Sequence, residues 1–451
     1  MNRLANLRRS FAALLILATA FAVHAAEDRF ELTFARDVNY RGGTVSIDHR
    51  FGSLNIRTHE GSTVRVRAVI RSSDDAIGKQ IQIVTSESAG GVTIRTDFPE
   101  VHIRNGRISY SVDMTVLLPA NAPVAAKNRF GSMVAVGLRT NSTLENKQGP
   151  LSFRDGRGSF TLENSFGPID ATDNQGNLII RNQNGPVSVK TINGSIDVTN
   201  RFGPVRVSDI ERGAIINNGN GPVDVLDVGG PLKVSNSFGP VKISTAGGTV
   251  DVSNNNGRVE LVNIGGAAVV RNSFADVDVR TVKGALTVQS NNARVSAEDI
   301  GGTATVRSSF GAVDLKDISG SATVDNSNGS VTLSDIGRDV RVKTNFAPTF
   351  IEDVAGSIDV ESSNGAISVS GLPAGNCHPI VLRTNFSSIK LALPTGASYN
   401  VSAHTSFGRI NSELPITTTN VGNENLTGTI GRGGCRLELS NANGNINIEK
   451  Q

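Results

Sequence analysis

The sequence predicts an all-β fold, a parallel β-solenoid built from 18-residue coils that pair into 36-residue repeats. Three observations predict it: a strict internal period, two glycine-rich corners in each unit, and short runs in which apolar and polar residues alternate. Nothing in the chain shows a sustained helical period. A length of 451 residues would suggest about three ordinary domains, but this repeat indicates one elongated domain instead.

The period is marked by phenylalanine. One Phe recurs every 36 residues, always followed by Gly or Ala, at Phe130, Phe166, Phe202, Phe238, Phe274, Phe310 and Phe346. Another small residue lies midway between those that follow successive Phe, for example Gly149 or Gly185. The underlying unit is therefore 18 residues long. Thirteen units fill residues 131–364 without an insertion or a deletion.

Each unit has the pattern of two short strands. If its first small residue is position 0, apolar residues fall at +2, +4, +7, +11 and +13, as in the unit 185–202. The pairs +2/+4 and +11/+13 have the period of two expected of strands with one buried face. Gly occupies position 0 in ten of the thirteen units and position +9 in ten, which favours a tight turn at both places. Thirteen coils about 4.8 Å apart would make a rod roughly 60 Å long.

A β-propeller is the alternative architecture for a repetitive all-β chain. Its blades usually need about 40–50 residues, and the 36-residue repeat found here is shorter than that. The 18-residue sub-period also fits the coils of a solenoid better than the blades of a propeller. The spacing therefore favours the solenoid.

Two polar rows follow the same period. Position +15 is Asn in eight successive units, from Asn146 to Asn272, and stacked Asn side chains can hydrogen-bond along the axis. Position +6 is mostly Asp, Asn or Thr, with Asp209 and Asp227 in successive units. Calcium binding is one interpretation of the Asp row. We favour a role in turns, because the calcium-binding solenoid pattern G-G-x-G-x-D is absent.

The phenylalanines have two interpretations. Ten of them share the corner context: Phe51, Phe130, Phe166, Phe202, Phe238, Phe274, Phe310, Phe346, Phe386 and Phe407. Their position, +17, has the same strand parity as +11 and +13, which predicts that the rings fill the interior corner of alternate coils. The alternative is an exposed aromatic stripe, with rings about 10 Å apart, that stacks against a repetitive glycan or polymer. We call these residues the candidate stacking row, whose role is either structural packing or ligand binding.

The N-terminus predicts export. Residues 1–25 contain Arg3, Arg8 and Arg9, then an uncharged apolar run over residues 11–23, then small residues at a cleavage site after Ala25 or Ala26. This is the pattern of a secretory signal peptide, and an uncleaved anchor is the alternative. The Arg pair also resembles a twin-arginine signal, so the export route stays open. No second hydrophobic stretch follows, which predicts a periplasmic, surface or secreted chain with no membrane span after cleavage.

Charge argues against nucleic-acid binding. The full chain has 44 Lys and Arg against 41 Asp and Glu, a formal net charge of +3. Three of the Arg residues and none of the acids lie in residues 1–25, so the predicted mature chain is balanced at 41 against 41. A balanced chain lacks the electrostatic footprint of a nucleic-acid-binding protein.

The two ends differ from the regular array. We predict an N-terminal cap with wider β coils over residues 26–126, a regular solenoid over 127–364, and C-terminal coils with a cap over 365–451. Both cysteines, Cys377 and Cys435, lie in the last of these regions. In an exported chain they predict one disulfide that ties the last coils together. A reactive thiol pair is the alternative, but the C-x-x-C spacing is absent.

Two segments carry a family resemblance. The run Ile108-Ser109-Tyr110-Ser111-Val112 through Leu118-Pro119, followed by Asn128-Arg129-Phe130-Gly131, resembles the start of the solenoid in the LiaG-like putative adhesin family. Residues 431–448, which include Cys435 and Asn443, resemble the closing strands of that family. The resemblance covers nearly the whole mature chain. It implies a right-handed, single-stranded β-helix and carries no catalytic residues over, because the shared motifs are structural.

No motif for chemistry stands out. The five His residues of the mature chain, at positions 49, 59, 102, 378 and 404, have no metal-ligand spacing, and there is no nucleophile elbow, P-loop or zinc motif. We therefore predict no catalytic, cofactor or metal residues. The sequence favours an exported, non-enzymatic scaffold or adhesin-like protein with an unknown envelope protein or glycan as its partner. A polysaccharide-active β-helix enzyme and an envelope-stress regulator are the alternatives.

Overall fold

The computed structural model describes residues 30–101, 108–375, 377–422 and 424–451. The predicted fold class is confirmed, because these residues form a β-solenoid of about 15 turns with parallel stacked coils. The predicted signal segment 1–25 lies outside the described residues. Within them the helix α1, Asp75–Gly78, is a single turn, and no described helix is long and apolar enough to cross a membrane.

The N-terminal strands form a cap. They are β1 (Phe30–Asn39), β2 (Thr44–Phe51), β3 (Leu54–His59), β4 (Thr63–Ser72), β5 (Gln82–Ser88), β6 (Gly91–Asp97) and β7 (Tyr110–Pro119). β4 pairs antiparallel with both β1 and β7, so three antiparallel strands close this end of one sheet, sheet A. β5 and β6 form an antiparallel hairpin at the same end of the other sheet, sheet B. These pairs cover strand edges that a solenoid would otherwise leave open.

Each regular coil then contributes one strand to each sheet. Within this regular array, even-numbered strands lie in sheet B and odd-numbered strands in sheet A. In chain order they are β8 (Val124–Phe130), β9 (Met133–Val136), β10 (Ser142–Gln148), β11 (Leu151–Arg157), β12 (Phe160–Phe166), β13 (Ile169–Gln175), β14 (Leu178–Asn184), β15 (Val187–Asn193), β16 (Ile196–Phe202), β17 (Val205–Ile210), β18 (Ala214–Asn220), β19 (Val223–Val228), β20 (Leu232–Phe238), β21 (Val241–Ala246), β22 (Val250–Asn256), β23 (Val259–Ile264), β24 (Ala268–Phe274), β25 (Val277–Val282), β26 (Leu286–Asn292), β27 (Val295–Ile300), β28 (Ala304–Phe310), β29 (Val313–Ile318), β30 (Ala322–Asn326), β31 (Val331–Ile336), β32 (Val340–Thr344), β33 (Thr349–Val354), β34 (Ile358–Ser362) and β35 (Ile367–Ser370).

The core is a continuous apolar column between the two sheets. Neighbouring coils pair in parallel with an offset of 18 residues, so Val187 pairs with Val205 in sheet A and Ile196 with Ala214 in sheet B. Side chains at +2, +4, +7, +11 and +13 point inward and are almost fully buried, as the apolar pattern predicts. Each coil therefore buries its apolar side chains mainly together with those of the coils above and below it.

Position 0 is glycine in ten of the thirteen units because the neighbouring coil leaves little room for a side chain there. Gly203 has a φ of +126°, which L side chains rarely adopt. A Cβ built on it would also lie 2.4 Å from the carbonyl oxygen of Gly185 in the coil below. The corner is therefore made of glycine backbones in close contact, so residues beside the corner recur at a constant distance from one coil to the next.

The C-terminal strands leave chain order. They are β36 (Ile380–Phe386), β37 (Ile389–Leu393), β38 (Tyr399–Thr405), β39 (Ile410–Ser412), β40 (Ile416–Val421), β41 (Asn425–Ile430), β42 (Cys435–Asn443) and β43 (Ile446–Lys450). β42 pairs with both β36 and β38, and β43 pairs with both β37 and β39. The last coil of the chain is thus inserted between the two coils that precede it, while β41 and β40 close the end of sheet B as antiparallel strands.

The predicted disulfide is present and holds this inserted coil. Cys377 and Cys435 are bonded and lie just before β36 and at the start of β42, which are neighbours in sheet B. The N-terminal end shows the same kind of insertion, because β2 lies between β6 and β8. Both ends of the rod are therefore assembled from segments that are far apart in the chain.

Candidate binding face

The ten phenylalanines of the candidate stacking row lie on the surface. Phe51 is half-buried, and the exposed fraction of the other nine ranges from 41% for Phe130 to 77% for Phe407. The prediction that these rings fill the interior corner is wrong. We call these ten residues, with the polar residues between them, the aromatic row.

The interior corner is filled by asparagine instead. Asn200 at position +15 is 2% exposed, and its Nδ2 donates a hydrogen bond to the carbonyl oxygen of Gly203, 3.0 Å away. Strand pairing then skips one residue and resumes at the pair Asn184–Phe202. Arg201 and Phe202 are both exposed, so the alternation of inward and outward side chains that holds up to +15 is broken before +17, although the strand continues to Phe202.

Phenylalanine and amide side chains alternate along the row. The order along the axis includes Phe130, Gln148, Phe166, Asn184, Phe202, Asn220, Phe238, Asn256 and Phe274, each paired with the next on a neighbouring strand. Because strands in a sheet are about 4.8 Å apart, successive rings stand about 10 Å apart. The inserted C-terminal coil maintains this alternation, since it places Asn443 directly beside Phe386 and next to the coil of Phe407.

The N-terminal end of the row is an aromatic cluster that the sequence did not reveal. Phe51 and Phe130 lie on neighbouring strands and stack with ring centroids 5.0 Å apart and planes 9° apart. The rings of Phe98 and Tyr110 meet Phe51 edge-on, at centroid distances of 5.0 and 5.2 Å. Only the sheet pairing brings these four rings together, because β2 is inserted between β6 and β8.

A match to a family model assigns the chain to a family. The family model for Toastrack DUF4097 matches residues 46–449, which is nearly all of the described chain. The chain belongs to this family. The finer resemblance to LiaG-like proteins stays a prediction. No protein of curated function matches the sequence.

Solved structures similar to this Toastrack chain include three adhesin-like proteins. A putative cell adhesion protein from Clostridium sporogenes is 8% identical, with 94% of this chain and 100% of that chain covered and a TM-score of 0.18. Putative adhesins from Bacteroides fragilis and Parabacteroides merdae are 11% and 10% identical, with TM-scores of 0.21 and 0.19. Each covers 63% of this chain, and 96% and 95% of those chains are covered. At these identities and TM-scores the neighbours say nothing about what this chain binds.

The Asp row of the Toastrack chain lies at irregular positions within strands. Asp209 and Asp227 lie inside β17 and β19, where the pairing runs from Ser208–Leu226 directly to Ile210–Val228. Both Asp residues have a φ of 58°, in the left-handed region that Asp tolerates better than most residues, and their side chains are exposed. A similar backbone angle recurs at Asp173, Asp299 and Asp317. Among the described residues no group of three or more His, Cys, Asp or Glu side chains is placed to hold a metal ion. The left-handed backbone at this bulge-like position accounts for the Asp row.

One apolar groove lies away from the aromatic row. It runs along the outer face of sheet B, has a volume of about 750 Å³, and includes the exposed side chains of Ile179 and Ile215. Charged residues, Asp197 and Lys233, lie beside these apolar side chains. The groove gives the chain a second surface with exposed apolar side chains, and substitutions in it can serve as controls for substitutions in the aromatic row.

One histidine has replaced an asparagine of the buried row. His49 pairs with Asn128, is fully buried, and places its Nδ1 3.3 Å from the hydroxyl of Thr96. Burial lowers the pKa of His49 from 6.5 to about 4. The folded protein therefore keeps this ring neutral under conditions in which the unfolded chain would protonate it.

Stability should consequently fall in mild acid. The lowered pKa means that the unfolded state binds the proton more tightly than the folded state. The contribution of His49 to the free energy of unfolding is therefore fully present above pH 6.5 and is lost as the pH falls to about 4. We expect a loss of about 3 kcal/mol of unfolding free energy over that range. His49→Asn, which restores the residue of neighbouring coils, should remove this part of the pH dependence. Urea unfolding at several pH values measures it, and an unchanged slope in the variant would contradict the assignment.

Proposed function

We propose that this protein is an exported, non-enzymatic, adhesin-like protein that holds a long glycan of the cell envelope along the aromatic row. The carrying observation is the row itself, in which nine Phe rings stand exposed at a regular two-coil spacing on one rigid corner. Monomeric soluble proteins rarely expose contiguous apolar patches, and large ones mark interaction sites. The proposal includes export through residues 1–25 and the finer resemblance to LiaG-like adhesins.

The chemistry of the row fits a carbohydrate. A pyranose ring presents a face of C–H groups that packs on an aromatic ring, and its hydroxyls need hydrogen-bonding partners at the edge. The row supplies both in alternation, with an amide such as Asn220 between the rings of Phe202 and Phe238. A period of about 10 Å is close to the length of two sugar rings in an extended chain. A polymer with a disaccharide repeat would therefore meet the same surroundings at every repeat.

Binding without catalysis is supported by the placement of the acidic groups. Glycoside hydrolysis needs two carboxylates on either side of one bond. The repeated carboxylates of this chain, such as Asp209 and Asp227, lie at irregular strand positions where the left-handed backbone accounts for them. The residues between the rings of the row are amides, which do not transfer protons at neutral pH.

Removal of three rings should abolish most of the binding. The variant Phe202→Ser/Phe238→Ser/Phe274→Ser loses three adjacent stacking sites but no buried side chain, so it should fold with the stability of the parent. We expect its affinity for isolated envelope polysaccharide to fall by about tenfold or more. Co-sedimentation or surface plasmon resonance with the purified protein measures the change.

A matched control removes exposed apolar side chains elsewhere. Ile179→Ser/Ile215→Ser/Leu226→Ser deletes exposed apolar area away from the row, and its binding should stay close to that of the parent. Equal losses in the two variants would show that the row is not the binding face. Failure of the parent protein to bind any envelope fraction or glycan array would overturn the proposed function.

A further inference from the structure

We infer that the glycan is anionic and that its acidic groups are bound at the N-terminal third of the aromatic row. This inference rests on the proposed function, because it names the chemical class of the polymer that the row would hold. It is carried by three features of the row: a line of cations beside it, the lack of described carboxylates paired with three of these cations, and an aromatic platform at the same end.

The cations occupy equivalent positions on three neighbouring strands. Arg50, Arg129 and Lys147 each directly precede a residue of the row and are exposed. The pairings Phe51–Phe130 and Phe130–Gln148 place the three cations next to one another along the axis. A fourth cation, Arg201, lies over the ring of Phe202, with the guanidinium carbon 5.4 Å from the ring centroid. Positive charge therefore runs beside the first rings of the row.

Such a line of like charges is unfavourable unless something neutralises it. Like charges directly opposite one another on neighbouring strands destabilise a sheet. On other faces of the chain cations on one coil face acids on the next, as in Arg206–Asp224 at 3.8 Å and Lys242–Glu260 at 3.4 Å. The cation line at the N-terminal third lacks such acidic neighbours, so an external anion would relieve its repulsion.

The described residues place few negative charges close to this line of cations. The ion pairs formed by described residues include none for Arg50, Arg129 or Arg201, and Lys147 has one, with Glu145 at 3.6 Å. No Asp or Glu directly precedes any of the ten Phe residues of the row or the amides between them. Asp97, beside the nearby Phe98, is paired with Arg95 at 2.8 Å. The excess of positive charge is local, since residues 26–451 as a whole are balanced.

The aromatic cluster lies at the same end as the cations. The parallel rings of Phe51 and Phe130 form a platform, with Phe98 and Tyr110 packed against its edge. A sugar ring stacked on Phe130 would bring an acidic substituent next to Arg129, the preceding residue in the chain. Arginine suits this role, because its planar guanidinium binds carboxylate, sulfate or phosphate through two hydrogen bonds. Neutral sugars further along the row would meet only Phe and amide side chains.

Two cellulose derivatives with the same backbone provide the test. Carboxymethyl cellulose carries carboxylates and hydroxyethyl cellulose does not, so a comparison of the two isolates the charge. We expect the parent protein to bind the carboxymethyl polymer about tenfold more tightly or better. We also expect this preference to disappear at high salt. The variant Arg50→Gln/Arg129→Gln should lose the preference and keep its binding to hydroxyethyl cellulose.

Control variants and a third polymer separate the outcomes. Arg206→Gln/Arg280→Gln removes the same charge from the outer face of sheet A and should keep the preference. Equal binding of the parent to both cellulose derivatives would overturn the anionic assignment and leave the proposed function standing. Equally tight binding to polyglutamate would overturn it as well, because any polyanion would then suffice. Binding to neither cellulose derivative would overturn the inference, and the proposed function would fall only if the parent protein also bound no envelope fraction and no glycan array.

Discussion

Replacing Asn254 by Asp is expected to lower the free energy of unfolding by about 3 kcal/mol or more at neutral pH. Asn254 is 2% exposed, and its Nδ2 donates to the carbonyl oxygens of Gly239 and Gly257 at 3.2 and 2.8 Å. These carbonyls belong to two different coils, so the amide joins the coils at the corner. A carboxylate has the same shape but donates nothing, so each oxygen keeps only the donor from the neighbouring coil, Asn236 or Asn272, and a charge is buried.

The neighbouring residue provides a matched control. Asn255 is exposed, and Asn255→Asp should change stability by no more than about 0.5 kcal/mol. The defect of Asn254→Asp should also shrink as the pH falls toward 4, because burial raises the pKa of the new carboxyl and the protonated group regains a donor. Urea unfolding of both variants at neutral and acidic pH measures these effects. Equal stabilities at neutral pH would show that the Asn row does not hold the coils together.

Loss of the disulfide is expected to free the inserted C-terminal coil. The bond closes a loop with a sequence separation of 58 residues, and a loop of this length corresponds to about 4 kcal/mol of stability in the chain-entropy model. Without it, β42 is held by its strand pairing and by ion pairs such as Arg383–Glu438 at 2.9 Å. We expect Cys377→Ser/Cys435→Ser to show faster amide exchange in residues 435–450. The centre of the rod should stay protected, because each coil contacts only its neighbours.

The reducing agent itself supplies the control. Dithiothreitol should reproduce the exchange pattern of the double variant in the parent protein and should change nothing in the double variant. Hydrogen exchange followed by mass spectrometry resolves the segments concerned. Unchanged protection of residues 435–450 after complete reduction would mean that strand pairing alone holds the inserted coil.

The regular part of the fold was predictable because each 18-residue coil carries the same information. The apolar positions +2, +4, +11 and +13 mark the buried faces of the strands, and Gly203 and its equivalents mark the corner. Parallel stacking then follows, since a single coil cannot bury its apolar side chains alone. The Asp row is also explained by local chemistry, because Asp tolerates the left-handed backbone found at Asp209 better than most residues.

The orientation of the phenylalanines was not predictable from parity. Parity applies only while side chains alternate regularly, and this alternation breaks between Asn200 and Phe202, where the strand pairing skips one position. The Asn row could have revealed this break, because a buried polar side chain two residues before each Phe already occupies the corner. The aromatic cluster and the place of Arg50 in the cation line were beyond sequence reasoning, because they depend on the insertion of β2 between β6 and β8. Arg129 and Lys147 are 18 residues apart, so the repeat itself makes them neighbours.

The sequence by itself determined the solenoid, the length of its coil and the identity of the residues that line the core, because these depend on contacts repeated every 18 residues. Only the tertiary structure decided what faces the solvent at the corner and how the ends are built. The residues that face the solvent at the corner depend on where the alternation of inward and outward side chains breaks at the end of the strand. The construction of the ends depends on pairings between distant segments, such as Phe386 with Asn443 and Phe51 with Phe130, which no local pattern encodes.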